Sequence, residues 1–358
     1  MATADGPLPA LDARTPDALR AALAPWPGDG GIAVTFADPT CPPITCSPEG
    51  AARWGSIGDG FLYGAHNVAA VALRGTTNVR AIGDNFLHGS WVTQLDLSGL
   101  TEVTRIGAGF LRLCGRLTEF RTGAGDEAFR RVTAIGSDFM ENCGALETVD
   151  LRGFVRLEAI SNNFLGSAKR LRTLDATGLS AVKCIGNNFL RLATGLTEVE
   201  VGCMERLESI GNGFLYGCSG LTRFDTVGLW SLSACGNGFL YDCARLEEVD
   251  CSGLVSLESV GMTFLDLCPK LRAVKYTPNV AAADRLIAGL SRKAARLLVP
   301  VRSARPPVGL VAMALLDAAP GPPLPGDVLM CLLGAAVPGP AGHLRAAAVR
   351  SHLRAAEW

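Results

Sequence analysis

Nine phenylalanines set the frame of this chain. Phe61, Phe86, Phe110, Phe139, Phe164, Phe189, Phe214, Phe239 and Phe264 follow one another at steps of 25, 24, 29, 25, 25, 25, 25 and 25 residues. A fixed period of about 20 to 50 residues marks a repeat architecture, in which each unit buries its apolar face only against its neighbours. The phrase around each phenylalanine repeats as well, as in Ile210-Gly211-Asn212-Gly213-Phe214-Leu215-Tyr216-Gly217-Cys218. The long step contains Thr122 to Asp126, TGAGD, which reads as an insertion bulging from one face.

Each unit offers the same inward positions. In one rung these are Val92, Leu95, Leu97, Leu100, Val103 and Ile106, and two rungs later Leu146, Val149, Leu151, Phe154, Leu157 and Ile160. The alternation within L-x-x-L-x-L predicts a short strand with every second residue inside. Two residues before each phenylalanine stand Asp59, Asp84, Ala108, Ser137, Asn162, Asn187, Asn212, Asn237 and Met262, mostly helix-capping types. The next column, Gly60, Asn85, Gly109, Asp138, Asn163, Asn188, Gly213, Gly238 and Thr263, is dominated by residues that tolerate a left-handed backbone. A tight turn is therefore expected before Phe-Leu, with Phe-Leu-x-x-Cys read as one helical turn closing the rung.

Five of the twelve cysteines, Cys114, Cys143, Cys218, Cys243 and Cys268, fall four residues after a repeat phenylalanine, where other rungs carry Ala65, Ser90, Ala168 and Ala193. A column that accepts Cys, Ala and Ser asks for a small buried side chain, and free Cys behaves as a small hydrophobe. Cys41 and Cys46 lack metal-site spacing.

Three regions are expected: residues 1–50 as an N-terminal cap, 51–278 as the repeat, and 279–358 as a helical C-terminal cap or tail with Pro/Gly-rich linkers. In the first, Pro16 to Ala24 reads as a helix capped by Thr15, and Gly31 to Phe36 as a strand. In the last, Asn279 to Val299 reads as one helix with Arg292, Lys293 and Arg296 solvated, ended by Pro300. Val308 to Ala318, Asp327 to Ala336 and Ala341 to Ala356 read as further short helices.

The run Leu221 to Cys243, L-x-x-[VF]-D-x-x-G-L-x-x-L-x-x-[IVC]-G-N-G-F-L-Y-x-C, resembles the BspA-like class of leucine-rich repeats. The resemblance covers roughly residues 51 to 278. It departs from that class in placing Asn or Gly before Phe where Ala is usual. It implies an α/β repeat fold, a right-handed solenoid of about nine ~25-residue rungs with short parallel strands and helical turns. It also implies protein recognition, with no catalytic residues to carry over.

Charge and composition exclude more than they assign. The chain carries a formal charge of −1; residues 279 to 358 hold nine Lys+Arg against four Asp+Glu, net +5, leaving −6 for residues 1 to 278. Neither a nucleic-acid footprint nor a cofactor motif emerges, and the longest apolar runs, Val308 to Leu316 and Val328 to Val337, are about half the ~20 residues of a membrane span. Met1 to Leu23 lacks the basic start and apolar core of a secretory signal, and no Asn-x-Ser/Thr sequon occurs, so an intracellular, cytoplasmic monomer is expected. The four histidines, His66, His88, His343 and His352, join no nucleophile, metal or acid–base constellation. Gly211, Gly213 and Gly217 read as turn glycines, since no lysine or βαβ context accompanies them.

One outward column stands out. Between the two inward strand residues lie Ala72, Asp96, Arg121, Asp150, Asp175, Glu200, Asp225, Asp250 and Lys275, so five consecutive rungs are acidic; Glu119, Glu198 and Glu248 lie two residues earlier on the same face. Unit charges ~4.8 Å apart on adjacent strands repel by ~0.9 kcal/mol in water. Two readings stay open. The aspartates bond their own backbone and keep the sheet face soluble, or Asp96, Asp150, Asp175, Glu198, Glu200, Asp225, Glu248 and Asp250 form a strip that meets a basic protein partner. The sequence thus points to a non-enzymatic recognition scaffold. Its alternatives are a ubiquitin-ligase substrate adaptor, suggested by the F-box-like phrase Leu324 to Leu329, a surface adhesion or antigen protein, and an enzyme with its site in the C-terminal region.

Overall fold

The computed structural model describes residues 8–29, 31–122, 128–278, 281–290 and 292–301. The expected helices beyond residue 302, the phrase at 324–329 and most of the TGAGD insertion lie outside them. The repeat is a solenoid of about nine turns stacked through parallel strands. One ladder holds ten of these, Ala10–Leu11, Ser56–Ile57, Ala81–Ile82, Arg105–Ile106, Ala134–Ile135, Ala159–Ile160, Cys184–Ile185, Ser209–Ile210, Ala234–Cys235 and Ser259–Val260. Their register puts like on like: Ile57 pairs with Ile82, Ile82 with Ile106 and Ile185 with Ile210. The residue that follows is glycine in eight of the nine repeat rungs because the backbones approach closely; a Cβ on Gly236 would stand 2.5 Å from the carbonyl carbon of Gly211. Ser161 fills the ninth place and donates its hydroxyl to the Ile135 carbonyl at 2.7 Å.

The second ladder carries the L-x-L residues and is divided into three sheets. Val68–Leu73 and Gln94–Asp96 lie in the first, Glu119–Phe120, Thr148–Asp150 and Thr173–Asp175 in the second, and Arg223–Asp225, Glu248–Asp250 and Ala273–Tyr276 in the third. Between the ladders all nine repeat phenylalanines are at most 1% exposed. Successive rings stack nearly parallel, at centroid separations from 4.6 Å (Phe239–Phe264) to 5.6 Å (Phe164–Phe189), within the range aromatic pairs favour.

The turn before Phe-Leu is left-handed in every rung, with φ between 59° at Asn85 and 71° at Gly213 and Gly238. The helical turn expected after it does not form. The residue after each phenylalanine is again left-handed, Leu190 at φ 54° for example, and so is the residue two further on, Leu192 at 59°. A right-handed helix cannot run through such a residue, and each left-handed L residue costs ~1–2 kcal/mol. Two terms offset that cost. The residue directly after each phenylalanine is buried and its N–H bonds to the rung before, Leu190 donating to the Phe164 carbonyl at 2.9 Å and Leu215 to that of Phe189 at 3.0 Å. The residue two further on donates to the rung after, as Leu192 does to the Tyr216 carbonyl at 2.7 Å.

The Asp/Asn column before the turn therefore caps no helix. Its side chains run from rung to rung instead. Oδ1 of Asn162 accepts the backbone N–H of Asn187, Asn187 that of Asn212, Asn212 that of Asn237 and Asn237 that of Met262, each at 2.7 Å. The cysteine column is buried as its Ala and Ser equivalents predict, and each thiol donates to the preceding rung, Cys218 to the Leu190 carbonyl at 3.2 Å and Cys243 to that of Leu215 at 3.3 Å.

Both ends of the array are closed. At the N-terminal end Ala10–Leu11 extends the ten-strand ladder, while the antiparallel strands Ile32–Phe36 and Ile44–Cys46 extend the other through Val68–Leu73. The helix Pro16–Leu23, with Thr15 Oγ1 accepting the Ala18 N–H at 3.2 Å, buries Leu19 and Leu23. Trp26 packs edge-on against Trp54 at 6.0 Å.

At the other end the single helix expected over 279–299 is replaced by two short ones, Ala281–Gly289 and Arg292–Ala295, and a strand, Leu298–Pro300. This strand pairs with Ala273–Tyr276, since the last rung offers an open edge. An edge is where proline is tolerated in a sheet. Arg285 donates to the Leu257 carbonyl at 3.0 Å, and Lys293, expected in solvent, donates to those of Cys268 and Pro269 at 3.2 and 2.9 Å. Carbonyls of the final rung with no following rung are thus satisfied by cationic side chains.

Two outcomes check this packing. Phe189→Ala should cost ~3–5 kcal/mol in denaturant unfolding, as buried aromatic deletions do; a loss under ~1 kcal/mol would place the ring outside the core. Burial pushes the Cys218 thiol up to about 12, so native-state alkylation read by peptide mass spectrometry should be fast at exposed Cys41 and Cys184 and slow at Cys218 until denaturant is added. Rapid native labelling of Cys218 refutes the buried column.

Candidate functional site

The outward residues of the second ladder form the acidic face. Asp150 pairs in register with Asp175, Asp225 with Asp250, and Asp250 with Lys275. The aspartates do what a D-x-x-G turn allows. Oδ1 accepts the backbone N–H two residues on: Ser98 for Asp96 at 3.1 Å, Arg152 for Asp150 at 3.0 Å, Thr177 for Asp175 at 3.1 Å, Val227 for Asp225 at 2.7 Å and Ser252 for Asp250 at 2.9 Å. The first sequence reading is therefore realised for one carboxylate oxygen of each aspartate.

Glu200 is the exception. One methylene longer, it makes no such bond, and its rung is the place where the ladder divides between Thr173–Asp175 and Arg223–Asp225. At Asp150, Asp225 and Asp250 the residue after the aspartate donates to the next rung, Leu151 to the Asp175 carbonyl at 2.9 Å, Thr226 to that of Asp250 at 2.9 Å and Cys251 to that of Lys275 at 2.8 Å. Gly202 follows Glu200 closely, and Gly228, at φ 102°, lies so near it that a Cβ there would stand 2.3 Å from the Gly202 oxygen. The acidic face is thus continuous in side chains across a break in its backbone ladder.

Ion pairs divide the eight candidate residues further. Asp96 is held by Arg74 at 2.6 Å, Asp150 by Arg152 at 2.7 Å, and Asp175 by the same Arg152 at 3.4 Å; Glu248 pairs with Lys275, and the neighbouring Glu119 with Arg121. Partial burial pushes the carboxyls of Asp96 and Asp150 up, but their bonds to Arg74 and Ser98, and to Arg152, outweigh it and both end below the usual range. The stability they contribute is therefore present above the unfolded value near ~3.9 and is lost as the pH falls through the folded one. Among the described residues Glu198, Glu200, Asp225 and Asp250 have no cation within ion-pair distance. The structure thus brings together a central cluster of four unpaired carboxylates flanked by neutralised ones.

Other chemistry is sparse. No cluster of three metal-ligating side chains occurs among the described residues, and no described helix is long and apolar enough to cross a membrane. An open groove of about 570 Å³ lies at the last rung, lined by Glu258 to Thr263, Asp266 and the helix residues Arg285 and Ala288 to Leu290. Its charged groups are Glu258, Asp266 and Arg285, and Arg285 is engaged by the Leu257 carbonyl.

Sequence reasoning passed over a different surface, on the turns after the phenylalanines. Tyr63 stacks on His88 at 4.8 Å and His66 on Trp91 at 4.7 Å, while the Arg116 guanidinium lies 3.9 Å over the Trp91 ring. Further along, Tyr216 stacks on Tyr241 at 4.9 Å with Arg191 over Tyr216. The available signal was column position: the aromatic and imidazole rings recur two and five places after the phenylalanine, and Arg116 follows at six.

Comparison with known proteins agrees with this geometry. The family described as BspA type Leucine rich repeat region matches residues 51–172 and 160–285, in six copies. No curated protein matches the chain. Among solved structures, a leucine-rich repeat protein from Bacteroides ovatus is similar at 16% identity, covering 78% of this chain and 93% of that one, with a TM-score of 0.24. The pneumococcal vaccine antigen PcpA is similar at 13% identity, covering 70% and 78%, with a TM-score of 0.20. Neither likeness bears on function. The family match spans all nine stacked phenylalanines and the turns between them, and the chain belongs to the BspA-type leucine-rich repeat family.

Proposed function

We propose that this protein is a non-enzymatic recognition scaffold that binds a basic protein partner through the unpaired part of its acidic face. The observation that carries this is the contrast along one surface. Asp96, Asp150, Asp175 and Glu248 have cations of their own, whereas Glu198, Glu200, Asp225 and Asp250 have none within ion-pair distance among the described residues. Like charges on adjacent rungs repel, and an approaching cationic surface relieves that repulsion while steering association. Repeat solenoids present such extended faces to partners as a rule. The exposed thiols of Cys41 and Cys184 fit a reducing compartment, so the same proposal places the scaffold inside the cell.

The test is a partner captured from native cells with the full chain and measured against the variant Glu198→Gln, Glu200→Gln, Asp225→Asn. Asparagine keeps the turn bond at residue 225, so the variant should unfold no earlier than the parent. Its affinity should fall at least tenfold at low salt, through slower association, and the difference should shrink as salt rises. Equal affinity of variant and parent at both salt concentrations refutes the acidic face as the binding surface.

A further inference from the structure

A repeat supplies its own controls, because the same column in other rungs shows what the fold alone requires. Two residues after the phenylalanine the column reads Tyr63, His88, Arg112, Glu141, Gly166, Arg191, Tyr216, Tyr241 and Asp266. Nothing in the packing demands an aromatic there. Between the small buried column and the next inward leucine, later rungs carry Gly144-Ala145, Lys169-Arg170, Thr194-Gly195 and Ser219-Gly220, where the first two carry His66-Asn67 and Trp91. Three of the large exposed apolar residues, Tyr63 (54%), Trp91 (41%) and Leu113 (46%), thus sit on the turns of three successive rungs.

Leu113 adds apolar surface beside Tyr63 and Trp91. Its φ is 60°; the equivalent positions 64, 89 and 217 are glycine, and 192 and 267 are leucine. An exposed leucine there is disfavoured by solvent and by the backbone together. Trp91 stacks on His66 at 4.7 Å and carries the Arg116 guanidinium 3.9 Å over its ring. Among the described residues Arg116 has no hydrogen-bond or ion-pair partner, whereas Arg112 is engaged by Glu141 at 2.6 Å. A stacked guanidinium with its N–H edge free presents the fork that a carboxylate fits in two places. Trp, Tyr and Arg are also the residues on which binding energy concentrates at protein interfaces.

We infer that the turn face of the first three rungs is a second recognition surface, which takes an acidic peptide segment: a carboxylate on Arg116, and a neighbouring apolar side chain against Leu113 and Tyr63. One free guanidinium suits a single carboxylate and not a polyphosphate backbone, whose binding rests on many cations. The charge preference is opposite to that of the acidic face, so the two proposals fail separately.

The experiment selects a library of random twelve-residue peptides on the immobilised full chain. Enriched peptides should carry Asp or Glu beside Leu, Phe or Pro, and their affinity should drop at least tenfold with Arg116→Gln and with Trp91→Ala while Glu200→Gln leaves it unchanged. Leu113→Gly keeps the test independent of folding: it should raise the unfolding midpoint and weaken peptide binding at the same time. Failure to enrich any peptide overturns the inference. So does enrichment of basic peptides alone, or acidic peptides that bind Arg116→Gln and Trp91→Ala as tightly as the parent.

Discussion

The distance between rungs governs this molecule. A parallel strand ladder repeats at ~4.8 Å, and the rings of the phenylalanine column stack at 4.6 to 5.6 Å, so backbone hydrogen bonding and aromatic packing ask for the same translation. Because that translation carries each residue onto its own equivalent, every column must be compatible with itself. Phenylalanine on phenylalanine satisfies this through offset stacking, and asparagine through an Oδ1 that accepts the next rung's N–H. Glycine satisfies it by leaving out the Cβ that the neighbouring backbone would strike. Aspartate on aspartate does so least well. It is the column where the chain intersperses arginine, lysine and backbone donors.

Self-compatibility fails at the ends, and the terminal residues show it. Met262 stands where the four preceding rungs have asparagine, because an amide oxygen there would meet no further rung in that column. The final carbonyls are met by Arg285 and Lys293, and the open edge of the second ladder by Leu298–Pro300. Such closure makes a stack finite, since an uncapped end would present its apolar flank and unpaired backbone to water.

Much of this was legible in the residues. The period, the buried phenylalanines, the small cysteine column and the first left-handed position all follow from side-chain type, since Gly, Asn and Asp announce a left-handed backbone. The left-handed position directly after the phenylalanine could not be read. It is filled by Leu190, Met140 and similar residues, which have no such preference, and burial plus inter-rung hydrogen bonds override local propensity there. Propensity made Phe-Leu-x-x-Cys look helical for that reason. The acidic column was visible from the two-residue alternation of a strand, but its neutralisation was not. Arg74 lies 22 residues before the Asp96 it holds, and Arg152 reaches a neighbouring rung at Asp175.

In a repeat, departure from the column default carries information that conservation supplies elsewhere. Aspartate is the default before the x-x-G turn because its short side chain closes on the backbone two residues later. Glu200 gives up that bond, the strand ladder breaks at its rung, and what remains is a carboxylate that, among the described residues, has neither that backbone donor nor a cation within ion-pair distance. Trp91 departs in the same sense on the turns, where later rungs carry small or polar residues such as Gly144, Lys169, Thr194 and Ser219. Glu200 gives up a local bond and Trp91 leaves apolar surface in solvent, the pattern that functional sites impose on an otherwise consistent sequence. The two sets of departures lie on different faces of the rung and carry opposite charge preferences, so the regularity of the solenoid supplies the rigid frame while its irregular positions set what each face can bind.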